Sequence, residues 1–369
     1  MSPVLKFPST TSSVTGRHPR GHVSLQELYL LTRQLHVLQK AGVSLLASLQ
    51  ALQTQLPVGT LKQVLESVCH DLIEGRSVSQ ALAQHPQTFP PVFLGIIRSG
   101  EAAGMLVESL NQLTQLLEWE IEVRQRLREA LQYPIIVLST LCLALTVIAT
   151  FVLPQFARMF QSFRIELPLQ TRLLIGLSHL LSHHGWLIFL ALAGMVCAWW
   201  AYLRTESGGL FWDQRKLRLP IVGTIIVQLA MARLARITAA LHHSGLPILE
   251  TLALVRESIG NRVFQAMLGR VRERVKGGVS LTQAMSQEPI VPPVVIQMVA
   301  TGEETGRLSD LLHSIAEYYE QQAGYVLRRL MVSLEPILLL VVGLGVLLLA
   351  TAVFVPMWDM VKLFKHGGG

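Results

Sequence analysis

The sequence predicts an all-α fold: a polytopic membrane protein with three transmembrane helices and two repeated cytoplasmic helical-bundle domains. Three observations predict it. Of the 369 residues, 51% are hydrophobic and only 15% are charged, well under the roughly 25% charged content of soluble domains. Three stretches are long and apolar enough to cross a bilayer. A long helical segment also recurs, first at an offset of 203 residues and then of 202.

The elements follow in chain order. Residues 1–22 are rich in Ser, Thr, Pro, Gly and His and lack an apolar run. They predict a disordered tail rather than a cleaved signal peptide. Residues 23–132 predict a first helical domain, since apolar residues recur every three or four positions, breaks carry Gly or Pro, and strand-like alternation is missing. Residues 133–157 form the first span and carry no charge until a loop begins at 158. That loop covers 158–184. Residues 185–203 form a shorter, charge-free second span, for which a buried core helix is the competing reading. Trp186, Trp199, Trp200 and Tyr202 near its ends suit interfacial anchors. Residues 204–333 predict a second helical domain. The third span is 334–358, whose charge-free part lies between Glu335 and Asp359, and 359–369 are a short tail. Five or six helices are expected per domain. The last of each, about 106–132 and 308–333, runs on into its span, with Pro134 and Pro336 as candidate kinks.

Charge sets the orientation. Arg124, Arg126, Arg128, Arg204, Arg215, Lys216, Arg218, Arg328 and Arg329 flank the spans on one side. Arg158, Arg164, Arg172, Lys362 and Lys365 lie on the other. The richer side is cytoplasmic by the positive-inside rule, which puts both helical domains in the cytoplasm and 158–184 and 359–369 in the periplasm. The net charge of +7 suits an anionic membrane face. A basic face interleaved with aromatics is missing, so no nucleic-acid partner is expected. Cys69, Cys142 and Cys197 make no C-x-x-C pair and predict reduced, packed thiols.

The repeat is specific at the level of residues. Arg33 to Leu46 aligns with Arg236 to Leu249, each with a Gly at the break between two helices, a natural place to end a helix. Ser77-Val78-Ser79-Gln80 aligns with Ser280-Leu281-Thr282-Gln283, each a Ser-x-x-Gln capping box. Phe89–Glu108 aligns with Val291–Asp310, and Pro90, Pro91, Val92, Gly100, Glu101, Gly104 and Leu106 are identical in the second copy. Tyr133-Pro134 matches Glu335-Pro336, and Pro154 matches Pro356. The first and third spans are therefore equivalent, and the second is the extra helix that returns the chain to the same face.

Among polar residues, Gly100, Glu101 and Gly104 with their copies Gly302, Glu303 and Gly306 are the sharpest candidates. One reading makes the acidic turn a docking surface or a cross-domain pair. The structural reading is a helix-start carboxylate favoured by the helix dipole, or an internal pair with Arg33 or Arg236. Arg124, Arg126 and Arg128 suit lipid contact by default, or contact with a partner. His179, His183 and His184 have i, i+4 spacing but no neighbouring carboxylate or Cys, so interfacial polar residues are a better reading than a metal site. His242 and His243 beside the second Gly break read as ordinary surface or packing residues. Gly194 with Ala198, and Gly343 with Gly345, would let spans pack closely.

Two helical repeats with the R-x-L pattern and its Gly break, G-E-x-x-G-x-L, and a Tyr-Pro or Glu-Pro opening a span that ends in Pro resemble the type II secretion F / type IV pilus PilC platform family. The segments LREALQYPIIVL, LPIVG at Leu219–Gly223 and EPILLLVVGLG fit the same pattern. The resemblance runs from about residue 25 to 360. It implies a multi-pass protein of the bacterial inner membrane that links a cytoplasmic hexameric ATPase to the pilin or pseudopilin drawn from the bilayer, beside other inner-membrane subunits of the machine. It also implies no enzymatic activity and no cofactor. A homo-oligomer is expected because each repeat offers a large helical surface.

The residues agree with that class. No GxxxxGK[ST], GxSxG or HExxH pattern occurs. The competing class is a component of a membrane transporter or permease, where internal repeats also occur. Such repeats place polar groups at the membrane midplane, whereas these spans carry no ionisable residue in mid-span. The topology makes a direct prediction: a reporter fused after Phe163 reads as periplasmic, and a cytoplasmic signal there would reverse the orientation.

Overall fold

The computed structural model describes residues 23–147, 151, 190, 194–195 and 197–366. These residues form helices and turns, without a strand among them. They fall into two compact units, Met1–Glu118 and Trp119–Gly369. The first unit therefore ends inside the long helix that leads to the first span, fourteen residues before the domain end expected at 132.

Unit 1 holds α1 (Leu25–Lys40), α2 (Leu45–Gln55), α3 (Thr60–Ile73), α4 (Val78–Ala83), α5 (Pro91–Ala102) and the start of α6 (Leu106–Val147). Unit 2 holds the rest of α6, then α7 (Glu206–Arg218), α8 (Val222–His243), α9 (Ile248–Ser258), α10 (Arg262–Lys276), α11 (Leu281–Ser286), α12 (Pro293–Thr305) and α13 (Leu308–His366). Helices α8 to α13 repeat α1 to α6, and α7 is an addition. Packing repeats too: α1 to α5 pack each on the next, as do α8 to α12. Leu65, Phe89, Ile96, Ile97 and Leu113 are enclosed in unit 1, and Met231, Leu241, Phe264, Met267 and Leu268 in unit 2. Each such side chain contributes roughly 1.5–3 kcal/mol on burial.

Glycine and serine punctuate both copies alike. All six described glycines with positive φ form three repeat pairs: Gly42 and Gly245, Gly75 and Gly278, Gly104 and Gly306. At Gly42 its N–H donates to the Gln39 carbonyl and the Val43 N–H to the Leu38 carbonyl, and Gly245 and Leu246 bond His242 and Leu241 in the same way. This double bond satisfies the last carbonyls of a helix and needs a left-handed residue after it. The expected capping box is complete at Ser77 and Gln80. At Ser280 the hydroxyl accepts from the Gln283 N–H, and the return bond is not made.

Three described helices are long and apolar enough to cross a membrane: Leu106–Ala144, Val222–His243 and Leu308–Leu347. In the first and third only 6% of the apolar stretch is buried, against 50% in the second. Helix α8 therefore owes its apolarity to packing inside unit 2, chiefly on α13. The spans expected at 133–157 and 334–358 fall on α6 and α13, where Ile135, Ile136, Leu143, Leu339 and Leu344 are exposed. A Cβ at Gly345 would come within 2.8 Å of Leu141, so that glycine lets α6 and α13 approach, while a Cβ at Gly343 or Gly194 would meet nothing within 4 Å. Both long helices pass through Pro134 and Pro336 as single elements. Of 185–203, positions 190, 194–195 and 197–203 are described, and all are helical. The tail 1–22, the loop 158–184 and His179, His183 and His184 lie outside the described residues.

A buried carboxylate with two partly exposed arginines pins the α10–α12 corner. Glu288 is 3% exposed. It accepts from Arg270 Nε at 3.0 Å and Nη2 at 2.5 Å, and from Arg274 Nη1 at 2.8 Å. The Arg270 hydrogen bond, with Arg274 behind it, holds its carboxyl below the usual range against the opposing effect of burial. At the equivalent places in unit 1 stand Asp71 and His85, so the polarity is inverted. Asp71 Oδ1 pairs with Arg76 at 3.0 Å, while Asp71 Oδ2 and His85 Nε2 are buried without a hydrogen-bond partner among the described residues. Because the folded pKa of Glu288 is depressed, its contribution is present above the unfolded value near 4.3 and is lost as pH falls through the folded value. Thermal unfolding of the full chain in detergent should show Glu288→Ala costing about 3 kcal/mol at neutral pH. Glu288→Gln should flatten the acid side of the stability profile.

Candidate functional site

The Gly-Glu-x-x-Gly turns stand where α5 meets α6 and where α12 meets α13. Each residue of the motif has a mechanical task. A Cβ on Gly100 would overlap Ser109 on α6, and a Cβ on Gly302 would come to 3.0 Å from Leu308 Cα. The glycines thus permit close approach of the two helices. Gly104 and Gly306 take left-handed backbone, φ 69° and 68°, and turn the chain. Met105 N–H donates to the Gly100 carbonyl at 2.7 Å and Gly104 N–H to that of Glu101 at 3.2 Å, which closes the end of α5.

The glutamates reach across to another helix. Glu101 accepts from Val78 N–H at 2.6 Å, from Ser79 N–H at 3.0 Å and from the Ser79 hydroxyl at 2.6 Å. Glu303 accepts from Leu281 N–H at 2.8 Å, from Thr282 N–H at 2.9 Å and from the Thr282 hydroxyl. Each carboxylate therefore caps the first turn of a six-residue helix, α4 or α11, where free N–H groups and the helix dipole favour an anion. The carboxylate thus lies at the start of a helix that is not its own. Pairing with Arg33 or Arg236 is not seen: the carboxylates accept from α4 and α11, while Arg33 bonds Tyr29 and Arg236 bonds Glu320.

Those arginines have their own partners. Arg236 donates through Nε to Glu320 at 2.6 Å and through Nη2 to the same oxygen, and its guanidinium lies 5.5 Å from the Trp119 ring centre. Burial pushes the Glu320 carboxyl up, and Arg236 opposes that. In unit 1 the copy is indirect. Arg33 Nη1 donates to the Tyr29 hydroxyl at 3.3 Å, and that hydroxyl donates to Glu118 at 3.2 Å. Sequence reasoning missed Glu118 and Glu320, although the 202-residue offset that pairs Glu101 with Glu303 pairs them as well. Arg124 and Arg126 form i, i+4 pairs with Glu120 at 2.9 Å and Glu122 at 3.0 Å. Glu120 also takes Arg233 at 3.1 Å. Arg128 makes no ion pair among the described residues. No group of three His, Cys, Asp or Glu side chains suited to a metal ion occurs among the described residues.

This geometry predicts a structural penalty at the corner. Gly100→Ala should cost about 2 kcal/mol from overpacking against Ser109, and Gly302→Ala less. Glu101→Ala should cost about 2 kcal/mol, the scale of charge-assisted hydrogen bonds, and the double variant with Glu303→Ala should melt lower still in detergent. An unchanged melting temperature in that double variant would restore the docking reading.

Comparison with known proteins places this architecture. The family model of the type II secretion system (T2SS), protein F, matches residues 31–154 and 234–356, one match in each repeat. The chain is similar to the type IV pilus assembly protein PilC of Thermus thermophilus, 32% identical over 91% of this chain and 83% of the relative. It is also similar to the type 4 fimbrial assembly protein PilC of Pseudomonas putida, 34% identical over 90% and 83%. The type II secretion system protein F of Aeromonas hydrophila is 31% identical over 92% and 88%. With its two family matches in register with the two copies of the Gly-Glu-x-x-Gly corner, the chain belongs to the type II secretion system protein F family.

Proposed function

We propose that this protein is the inner-membrane platform of a type II secretion or type IV pilus assembly machine, coupling a cytoplasmic ATPase to the assembly of a pilin or pseudopilin filament. The observation that carries this reading is the continuity of α6 and α13. Each begins at a Gly-Glu-x-x-Gly corner in a compact helical unit and runs unbroken into an apolar span. An α-helix rises 1.5 Å per residue and is stiff over such lengths, so a displacement of the soluble unit is passed to the bilayer without a flexible joint.

In this reading, domain 1 (23–132) and domain 2 (204–333) are cytoplasmic, spans cover 133–157, 185–203 and 334–358, and 158–184 and 359–369 are periplasmic. The protein is not an enzyme. The ATPase supplies the energy, the chain transmits it, and copies of the chain associate through their helical surfaces. Arg33, Arg236 and the Glu101 and Glu303 corners act by holding the units rigid, and the exposed Arg124, Arg126 and Arg128 lie beside the membrane.

The test is co-purification. In a strain with the cognate ATPase tagged, the full-length chain should be retained, and a chain lacking residues 23–132 should lose retention while still fractionating with membranes. Retention without that domain would reject the coupling. Substrate flux through proteoliposomes of the lone protein would favour the transporter reading instead.

A further inference from the structure

Helix α7 and the turn after it serve neither the repeat nor the corners described above. Their level relative to the bilayer follows from unit 2. Arg236 bonds Glu320, and further up α8 Leu229 shares a small cavity with Arg126 on α6 and Leu327 on α13. Helix α8 therefore runs antiparallel to α13. From Leu229 to Val222 is seven residues, about 10 Å of helix. The same step from Leu327 reaches Leu334, and from Arg126 it reaches Tyr133, the positions where the third and first spans begin. The other end of α7, at Thr205, follows the second span directly. Both ends of α7 thus stand at the membrane edge, and the helix lies along it.

Its two faces differ sharply. Gly208 and Gly209 are buried, and a Cβ on Gly209 would overlap the Arg262 guanidinium. The opposite face exposes Leu210, Phe211, Arg215 and Arg218. Leu219, Ile221 and Val222 in the following turn are 51%, 45% and 41% exposed. The turn is tight. Val222 N–H donates to the Pro220 carbonyl at 2.8 Å, and Ile221 sits at φ 69°, ψ −59°, a strained γ-turn that β-branched residues avoid. Strain of this kind persists where the surrounding structure enforces it. Here it turns apolar side chains outward at the level of the bilayer.

Cations rim the patch. Arg204 lies 3.5 Å from the Trp200 ring centre, Arg215 5.1 Å from Phe211 and Lys216 5.8 Å from Trp212. Asp213 is already engaged by Lys216 and by the Arg262 N–H. An apolar cluster edged with cations suits the interfacial zone of an anionic membrane, which takes side chains of both kinds. We propose that α7 and the 219–222 turn form an interfacial anchor: Phe211, Leu219, Ile221 and Val222 enter the headgroup region on the side of the soluble units, and Arg204, Arg215 and Arg218 bind phosphates of anionic phospholipid. The proposal rests on the three-span reading given above.

The experiment uses spin labels on the full chain carrying Cys69→Ala, Cys142→Ser and Cys197→Ser, in vesicles of zwitterionic phospholipid with and without phosphatidylglycerol. Labels at Leu219→Cys and Val222→Cys should collide with lipid-dissolved oxygen in preference to a water-soluble nickel chelate. A label at Gly343→Cys should be deeper, and one at Val58→Cys should show the reverse preference. Enrichment of a fluorescent phosphatidylglycerol at position 222 should fall about fivefold for each charge removed by Arg204→Gln, Arg215→Gln or Arg218→Gln. Chelate access at 219 and 222 equal to that at 58, with 343 still deep, would overturn the anchor and leave the spans standing. Chelate access at 343 would overturn the span reading itself. Labels shielded from both reagents would mean a protein contact, and lipid enrichment indifferent to charge would mean no headgroup site; either result overturns the proposal.

Discussion

A carboxylate at the start of a short helix joins neighbouring helices in each compact unit. Helices α4 and α11 have six residues each, too few to be stable by their own hydrogen bonds. Their first turn is completed from outside by Glu101 or Glu303, which sits at the end of the next helix in the chain. That bond joins α4 to α5 just where α5 hands over to α6, and the glycine before the glutamate brings α6 close enough to pack. The same five-residue segment therefore fixes the direction in which the long helix leaves for the membrane. The sequence keeps Gly-Glu-x-x-Gly twice because each residue answers a separate steric or electrostatic demand of one corner.

Much of this was legible in the chain itself. The offset of 203 and then 202 residues marked the two copies that the family model matches in turn, and the glycines at breaks marked real left-handed turns. The partner of Glu101 was not legible, because it is a pair of backbone N–H groups 22 and 23 residues away, and the sequence does not display backbone donors. The partners of Arg33 and Arg236 were hidden differently. Glu118 and Glu320 lie in helices whose local pattern is unremarkable, and only their common offset marks them. Helix α8 shows the limit of composition: it is apolar enough for a span, yet its two arginines are matched to Glu120 and Glu320 inside unit 2.

The two copies have diverged in ways that follow from what each packs against. Leu30 and Val37 on α1 are 51% and 59% exposed, whereas the matching positions on α8, Arg233 and Ala240, are partly covered. Unit 2 also adds α7, and its Arg236–Glu320 contact is direct where unit 1 interposes Tyr29. The frame is shared, and the surfaces it carries are unequal.

The inverted polarity at Asp71/His85 and Arg274/Glu288 bears on how the chain is made. Two homologous segments in one chain allow helix-for-helix exchange, in which the α4 region of the first copy docks on α10 of the second. Such a hybrid would set Arg274 against His85 and strip Glu288 of its partners Arg270 and Arg274. The reverse hybrid would press Asp71 against Glu288, two carboxylates in a buried site, where like charges are costly. The inversion thus disfavours packing of one copy's α4 region on the other copy's helices.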